Sequence, residues 1–409
     1  MKNPEINAAR LLDRIQQLGA IGRDAEGRLT RLAASDADMA GRDQLVAWLE
    51  AVGLEVAIDR IGNIFGIWRT DTDANPLLIG SHIDTVIDAG IYDGCYGVLA
   101  GLEVLAALKE AGVAPARPIA VAAFTNEEGV RYTPDMMGSL VYAGGLSVED
   151  ALARVGIDGT VLGDELRRIG YAGARDAPFA TPHAYVELHV EQGPVLEHKN
   201  LAIGAVETLQ GISWQRITVQ GVANHAGTTP MALRRDAGYA AAKVAAFVHE
   251  RAKANTSGSV ATVGSIAFEP NAINVIPSRA SFTVDLRNPD EARLRQDEAA
   301  LQAFLDEIAA RENVTYTVER LVRFEPVTFD KQIVALIDEA AAARGLSVRR
   351  MTSGAGHDAQ MVARIAPAAM IFVPSKDGIS HNPREYTADA ALVDGANVLL
   401  DVVTRLVGI

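Results

Sequence analysis

Leu77-Leu78-Ile79-Gly80-Ser81-His82-Ile83-Asp84-Thr85 decides how this chain folds. An apolar run too short for a helix ends in a histidine and an aspartate, the mark of a buried strand whose end carries chemistry. The form recurs. Ile119 to Phe124 runs into Asn126-Glu127-Glu128, Tyr185 to Val190 contains His189, and Met370 to Val373 leads into a loop holding His381. Helical stretches separate these runs, which predicts an α/β fold with a mainly parallel sheet flanked by helices. In such sheets ligands bind beyond the carboxyl ends of the strands, where these polar residues fall, except His189, which sits within its strand.

Working outward, residues 5–18 and 39–52 carry apolar positions at helical spacing, with Gly27 to Ala34 expected as a surface loop between them. Leu54 to Trp68 alternates around Gly62-Asn63, a hairpin pattern. Residues 133–180 form a helical excursion expected to cover one side of the site. From about residue 211 the order changes to β-α-β-β-α-β: Ile212 to Val219, a helix over 236–252, strands over 260–268 and 274–286, a helix over 290–311, and Val314 to Val322. The expected organisation is a catalytic domain of residues 1–210 and 327–409 with an inserted α+β lid or dimerisation domain of residues 211–326. A helix near 331–344 marks the return to the larger domain.

Composition bounds the partners. With 38 Lys and Arg against 52 Asp and Glu, the net charge of −14 argues against nucleic acid or an anionic membrane. No stretch approaches a membrane span, and Met1 to Arg14 has no basic region followed by an apolar core. The one cysteine, Cys95, excludes an intramolecular disulfide, which suits a reducing cytoplasm. Beside Gly94 and Gly97 at the start of an apolar helix, it reads as an inert buried thiol.

Five residues able to ligate metal are ordered along the chain: His82, Asp93, Glu128, His189 and His381. Two imidazoles and a carboxylate satisfy one divalent ion, and a second can share that carboxylate and add another carboxylate and imidazole. Asp84 stands two residues from His82, placed to hold its second ring nitrogen. Adjacent Glu127 and Glu128 repel each other unless a cation or proton intervenes, and splitting their roles resolves this: one ligates while the other moves protons. Each residue has a plain alternative. Asp93 alone is an N-cap, Glu127-Glu128 a solvated loop, His189 a hydrogen-bonded core histidine, His381 an exposed turn residue. The set has weight because it is complete.

The motifs resemble a known family. Gly80 to Val86, Tyr92-Asp93-Gly94 with Gly97-Val98, and Asn126-Glu127-Glu128-Gly129 are similar to the dinuclear M20 metallopeptidase superfamily of aminoacylases and carboxypeptidase-like amidases. Glu187 to Pro194, Asn224 to Met231, Gly356-His357-Asp358-Ala359 and Ser380-His381-Asn382-Pro383 resemble its branch of N-carbamoyl-L-amino acid hydrolases, allantoate amidohydrolases and metal-dependent β-ureidopropionases. The likeness runs from about residue 5 to 405.

The resemblance implies that His82, Asp93 and His189 hold one ion, and Asp93, Glu128 and His381 a second. Zinc is the first expectation; manganese, cobalt and nickel are alternatives. Glu127 would be the general base and Asp84 the partner of His82. Gln192, His225, Asn274 and Arg287 match substrate contacts, with His225 reaching the active site of a neighbouring subunit and so making a homodimer the catalytic unit. Read alone, Arg287 offers a bidentate fork to a carboxylate or is a surface arginine at a strand end, and Asn274 equally suits a turn. Gly356 and His357 form a further expected substrate contact, or merely turn the chain. The expected reaction is hydrolysis of the ureido bond of an N-carbamoyl-L-amino acid. Allantoate, β-ureidopropionate or ureidoglycolate are alternative substrates, and a non-catalytic metal-binding dimer is the alternative of another class.

Overall fold

The computed structural model describes residues 4–255 and 258–409. The chain divides into two compact units, Met1–Glu207 with Phe329–Ile409, and Thr208–Thr328.

The core of the first unit is four mutually parallel strands, in the order Ile119–Phe124, Leu77–His82, Ala184–Val190, Ala368–Val373. Every residue of the four is buried, as expected of a sheet covered on both faces. Alternation along the strand assigns the faces. Ile79 and Val121 meet the helix Cys95–Glu110 at Gly101. Phe124, of opposite parity to Val121, packs on Tyr142 of the helix Met137–Tyr142. Antiparallel strands extend both edges. Glu55–Ile58 pairs with Ile64–Trp68, which pairs with Ile119–Phe124; Ile203–Leu209 pairs with Ala368–Val373. The first pair is the expected hairpin, closed by Asn63 and Gly62 N–H groups that donate to Asp59.

The Gly27 to Ala34 segment is not the surface loop expected. Leu29 and Arg31 are fully buried. Arg31 donates to the carbonyls of Leu18 and Ile21 at the end of the helix Ala8–Ala20, and to Ile83. Carbonyls at a helix end have no partner of their own. The guanidinium supplies one, which draws a polar segment inward.

In the second unit the strands Gly211–Gln220, Arg279–Asn288 and Thr315–Phe324 pair antiparallel, with Gly211–Gln220 in the middle. Strict alternation in Arg279–Asn288 turns Ala280, Phe282, Val284 and Leu286 into a core shared with the helices Ala237–Ala254 and Glu291–Glu312. Two expected strands are broken. The 260–268 strand is split into Val260–Thr262 and Ile266–Glu269, where the Ser265 N–H turns to the Thr283 side chain. The 274–286 strand is interrupted at Pro277, which has no N–H to give a ladder. Val275–Ile276 instead pairs with Asn224–His225.

Candidate active site

The four parallel strands end on one side of the sheet, and the chemistry lies there. His82 is the last residue of its strand, and His189 the last but one of its own. Glu127 and Glu128 follow Phe124, and His381 lies beyond Val373. Asp93 precedes the helix Cys95–Glu110 but does not cap it. The N-cap is Gly94, at φ 63°, with no side-chain cap bond, so the Asp93 carboxylate is released from that duty. Gly94 is required as well by space, since a Cβ there would lie 2.4 Å from the His82 ring.

Two donor sets share Asp93. Its Oδ1 lies 3.7 Å from His82 Nε2 and 3.1 Å from His189 Nε2. Its Oδ2 lies 3.3 Å from His381 Nε2, which is 3.5 Å from Glu128 Oε2. Within each set, one donor atom per residue falls within 4.8 Å of the others. Both strand imidazoles are oriented from behind. His82 Nδ1 donates to the Asp84 carbonyl at 3.0 Å and His189 Nδ1 to the Val190 carbonyl at 2.8 Å, which turns Nε2 of each toward Asp93.

Asp84 thus holds His82 through its main chain; its carboxylate, 3.8 Å from the ring, accepts the N–H groups of Glu127 and Glu128, each at 3.2 Å. Glu127 belongs to neither donor set, and its Oε2 is 3.3 Å from His82 Nε2. The loop that presents it is folded back by Asn126, whose amide donates to the carbonyls of Tyr132 and Pro134. The Met136 N–H then closes on the Glu127 carbonyl at 2.7 Å.

Charge at this place is unbalanced. Burial, with Asp358, Glu128, Asp84 and Asp93 nearby, pushes the Glu127 carboxyl well above the usual range. Burial, with Asp93 and Asp84, does the same to Glu128. Burial raises Asp84 to about 7. At Asp93 burial also pushes upward, but the imidazoles of His189 and His381 outweigh it and hold the carboxylate well below its ordinary value. Buried carboxylates crowded beside imidazole nitrogens fit divalent-cation binding, because a cation removes the repulsion that otherwise forces them to protonate.

A third group, Glu187, His189 and His357, is differently committed. Glu187 accepts from Ser81, Tyr185 and the Ala359 N–H, and His357 Nε2 meets the Ser353 hydroxyl at 3.0 Å. His357 is buried with its ring edge-on to His189 at 4.6 Å, and Gly356 packs on Met136. Gln192 stands at the shared carboxylate, its amide donating to Asp93 Oδ2 at 2.8 Å. Two residues at this place were given no role by the sequence, Asp358 although it lies within the Gly356 to Ala359 stretch, and Glu385. Asp358 crowds Glu127, and Glu385 accepts from the Tyr92 and Asp93 N–H groups. The signal that could have found them is their position, beside His357 and four residues after His381.

His225, Asn274 and Arg287 belong to the second unit. His225 is exposed, and its Nδ1 accepts the N–H groups of Gly227 and Thr228 at 3.0 and 3.1 Å. That leaves the ring proton on Nε2, so the outer edge of the imidazole is a donor. The Asn274 carbonyl holds the Ala226 N–H, tying the two loops together. Arg287 is gripped by Asp285 on the same strand face, at 2.9 Å.

Comparison with known proteins gives the family. Residues 78–405 match the model of peptidase family M20/M25/M40. The chain is 41% identical to an N-carbamoyl-L-amino-acid amidohydrolase of Rhizobium meliloti, over 98% of this chain and 97% of that one. It is 36% identical to an allantoate amidohydrolase of Bacillus subtilis (strain 168), over 97% of each. A crystal structure of an amidase of the hydantoinase/carbamoylase family from Burkholderia multivorans superposes with a TM-score of 0.95 at 42% identity, covering 98% of both chains. The chain belongs to peptidase family M20/M25/M40.

Proposed function

We propose that this family M20 hydrolase cleaves the ureido C–N bond of an N-carbamoyl-L-amino acid, releasing the amino acid, carbon dioxide and ammonia. The observation that carries the reading is Asp93 turning its two oxygens to two imidazole-bearing sets, with the unshared carboxyl of Glu127 alongside. The amidohydrolase relatives support the bond class, and the R. meliloti enzyme supports the substrate.

His82, Asp93 and His189 would hold one divalent ion and Asp93, Glu128 and His381 a second, zinc being the best match to mixed imidazole and carboxylate donors. When bound, such ions supply Lewis acidity and bring the pKa of water toward neutrality. Glu127 takes the proton of the attacking water and delivers it to the leaving nitrogen. Asp84, accepting the Glu127 and Glu128 N–H groups, fixes the main chain that presents the two carboxyls. Arg287 and Asn274 hold the substrate carboxylate, and Gln192, Gly356 and His357 border the reacting group.

His225, with its proton on Nε2, donates to the developing oxyanion. It does so from a partner chain, in a homodimer formed through the inserted unit. That unit exposes Val222, Met231 and Leu233, which flank His225 in sequence, and Ile273, two residues before the Val275 that pairs with His225. The −14 net charge disfavours nucleic acid or anionic membrane as partner, and among the described residues no helix is long and apolar enough to cross a membrane. The single buried thiol suits a cytoplasmic setting.

The test is ammonia release by metal-reconstituted protein from N-carbamoyl-L-amino acids, allantoate and ureidoglycolate. The reading expects the highest kcat/KM on a carbamoyl amino acid. A preference for allantoate or ureidoglycolate would replace the substrate but keep the chemistry, and no release from any of them would end the reading.

A further inference from the structure

Glu385 joins two loops that are far apart in sequence. It is 6% exposed. Its Oε2 accepts the N–H groups of Tyr92 at 3.0 Å and Asp93 at 3.3 Å, and its Oε1 accepts the Ser380 hydroxyl at 3.1 Å. The same hydroxyl is 3.3 Å from Asp93 Oδ2. The loops are pressed together here, since a Cβ at Gly90 would fall 2.4 Å from the Glu385 Cβ. The segment carrying Glu385 is staked on its far side as well, by the Lys376 N–H to the Tyr386 carbonyl and the Thr387 hydroxyl to the Pro374 carbonyl.

The contrast with the strand histidines gives Glu385 its meaning. His82 and His189 are placed by the sheet and by main-chain carbonyls. Asp93 and His381 sit on loops, and His381 has a left-handed backbone at φ 52°. Two loop ligands need something to bring them to one point: the Gln192 amide reaches Asp93 Oδ2, the Ser380 hydroxyl and His381 Nε2 from one side, and Glu385 with Ser380 ties the two loops themselves together.

We infer that Glu385 is a positioning residue of the second cation set, locking the Asp93 turn to the His381 loop so that Asp93 Oδ2 and His381 Nε2 face one ion. The inference rests on the two-ion reading above. Residues that orient metal ligands in this way change metal affinity by roughly 10–100-fold when lost. Glu385 acts through its acceptor oxygens, so an amide of the same shape can replace it.

The experiment is equilibrium dialysis of the full-length metal-free protein against Mn²⁺, with metal counted by mass spectrometry, for the wild type, Glu385→Ala, Glu385→Gln and Ser380→Ala. Wild type is expected to take up two ions. Glu385→Ala should keep one and bind the second at least about ten-fold more weakly. Glu385→Gln should keep both, because its amide oxygen accepts the two N–H groups and its NH₂ donates to Ser380. Ser380→Ala should weaken only the second ion. Two ions at wild-type affinity in Glu385→Ala would overturn the inference. So would loss of both ions together, which marks a general structural role, or a Glu385→Gln variant as weak as Glu385→Ala. If Glu385→Ala does not fold, Ser380→Ala decides, and an unchanged second affinity there overturns the inference. Wild-type protein holding fewer than two ions would remove the two-ion reading itself, and this inference with it.

Discussion

Glu127 Oε2 lies 3.3 Å from His82 Nε2, so a carboxyl that belongs to neither donor set stands at the mouth of one of them. That is where a proton-moving group must be if the attacking water is held near both sets. Glu127→Gln keeps the shape and removes the base. Metal content should persist while kcat falls by roughly 10²–10⁴ or more. Retained turnover would take Glu127 out of this role.

Asp93 is the one residue common to both sets. Asp93→Ala should therefore empty the site of both ions, whereas His381→Ala should lose one. Metal counts on dialysed protein separate the two outcomes, and equal losses in the two variants would mean that the carboxylate is not shared.

Metal binding should tighten as pH rises. In the metal-free protein burial and neighbouring carboxylates hold Glu127 and Glu128 well above the usual range, and burial raises Glu385 to about 7. His189, which burial alone would lower, is raised to about 9 by Asp93. Each of these groups holds its proton to a higher pH than it would in water, and a cation bound among them must displace such protons. Each raised group favours the protonated, metal-free state below its own value, so affinity falls on acidification. Calorimetric titration with Mn²⁺ at pH 6 and pH 8, in two buffers of different ionisation enthalpy, should record proton release, and a pH-independent affinity would contradict it.

Arg287 presents a planar fork that Asp285 holds in place. If the substrate carboxylate docks there, Arg287→Lys should raise KM about ten-fold or more with kcat little changed, because an ammonium cannot copy a bidentate pair. An unchanged KM would put the carboxylate elsewhere.

Cys95 is buried, and burial pushes its thiol up to about 11. At pH 8 it is therefore protonated as well as shielded. Ellman's reagent should not label the native protein at that pH but should label one thiol per chain in guanidinium. Fast labelling of native protein would show that this helix start opens readily.

The strands, their order of polar endings and the α/β class are local matters, and the residues spell them. Apolar runs of strand length must be covered, and a histidine or carboxylate at such a run's end is visible without knowing where the chain goes next. The hairpin around Gly62-Asn63 is legible for the same reason, since its turn and its register lie within 14 residues. The breaks at Ser265 and Pro277 were harder to read, because whether a residue continues a strand depends on the partner strand opposite it.

What only the tertiary structure decided is which polar groups answer which others. Nothing near Arg31 in sequence says that its guanidinium will be needed at the end of one helix and at Ile83, so a segment that looks solvent-facing is buried. The sequence offers the Asp84 side chain to His82, yet the carbonyl holds the ring and the carboxylate serves two N–H groups instead. Glu385 reads as one more acidic residue until the fold brings it to Tyr92 and Asp93, 293 and 292 residues away. Hydrophobic periodicity is written along the chain, but a hydrogen bond is satisfied in space. The first can be read from neighbours, and the second exists only once distant segments have been packed together.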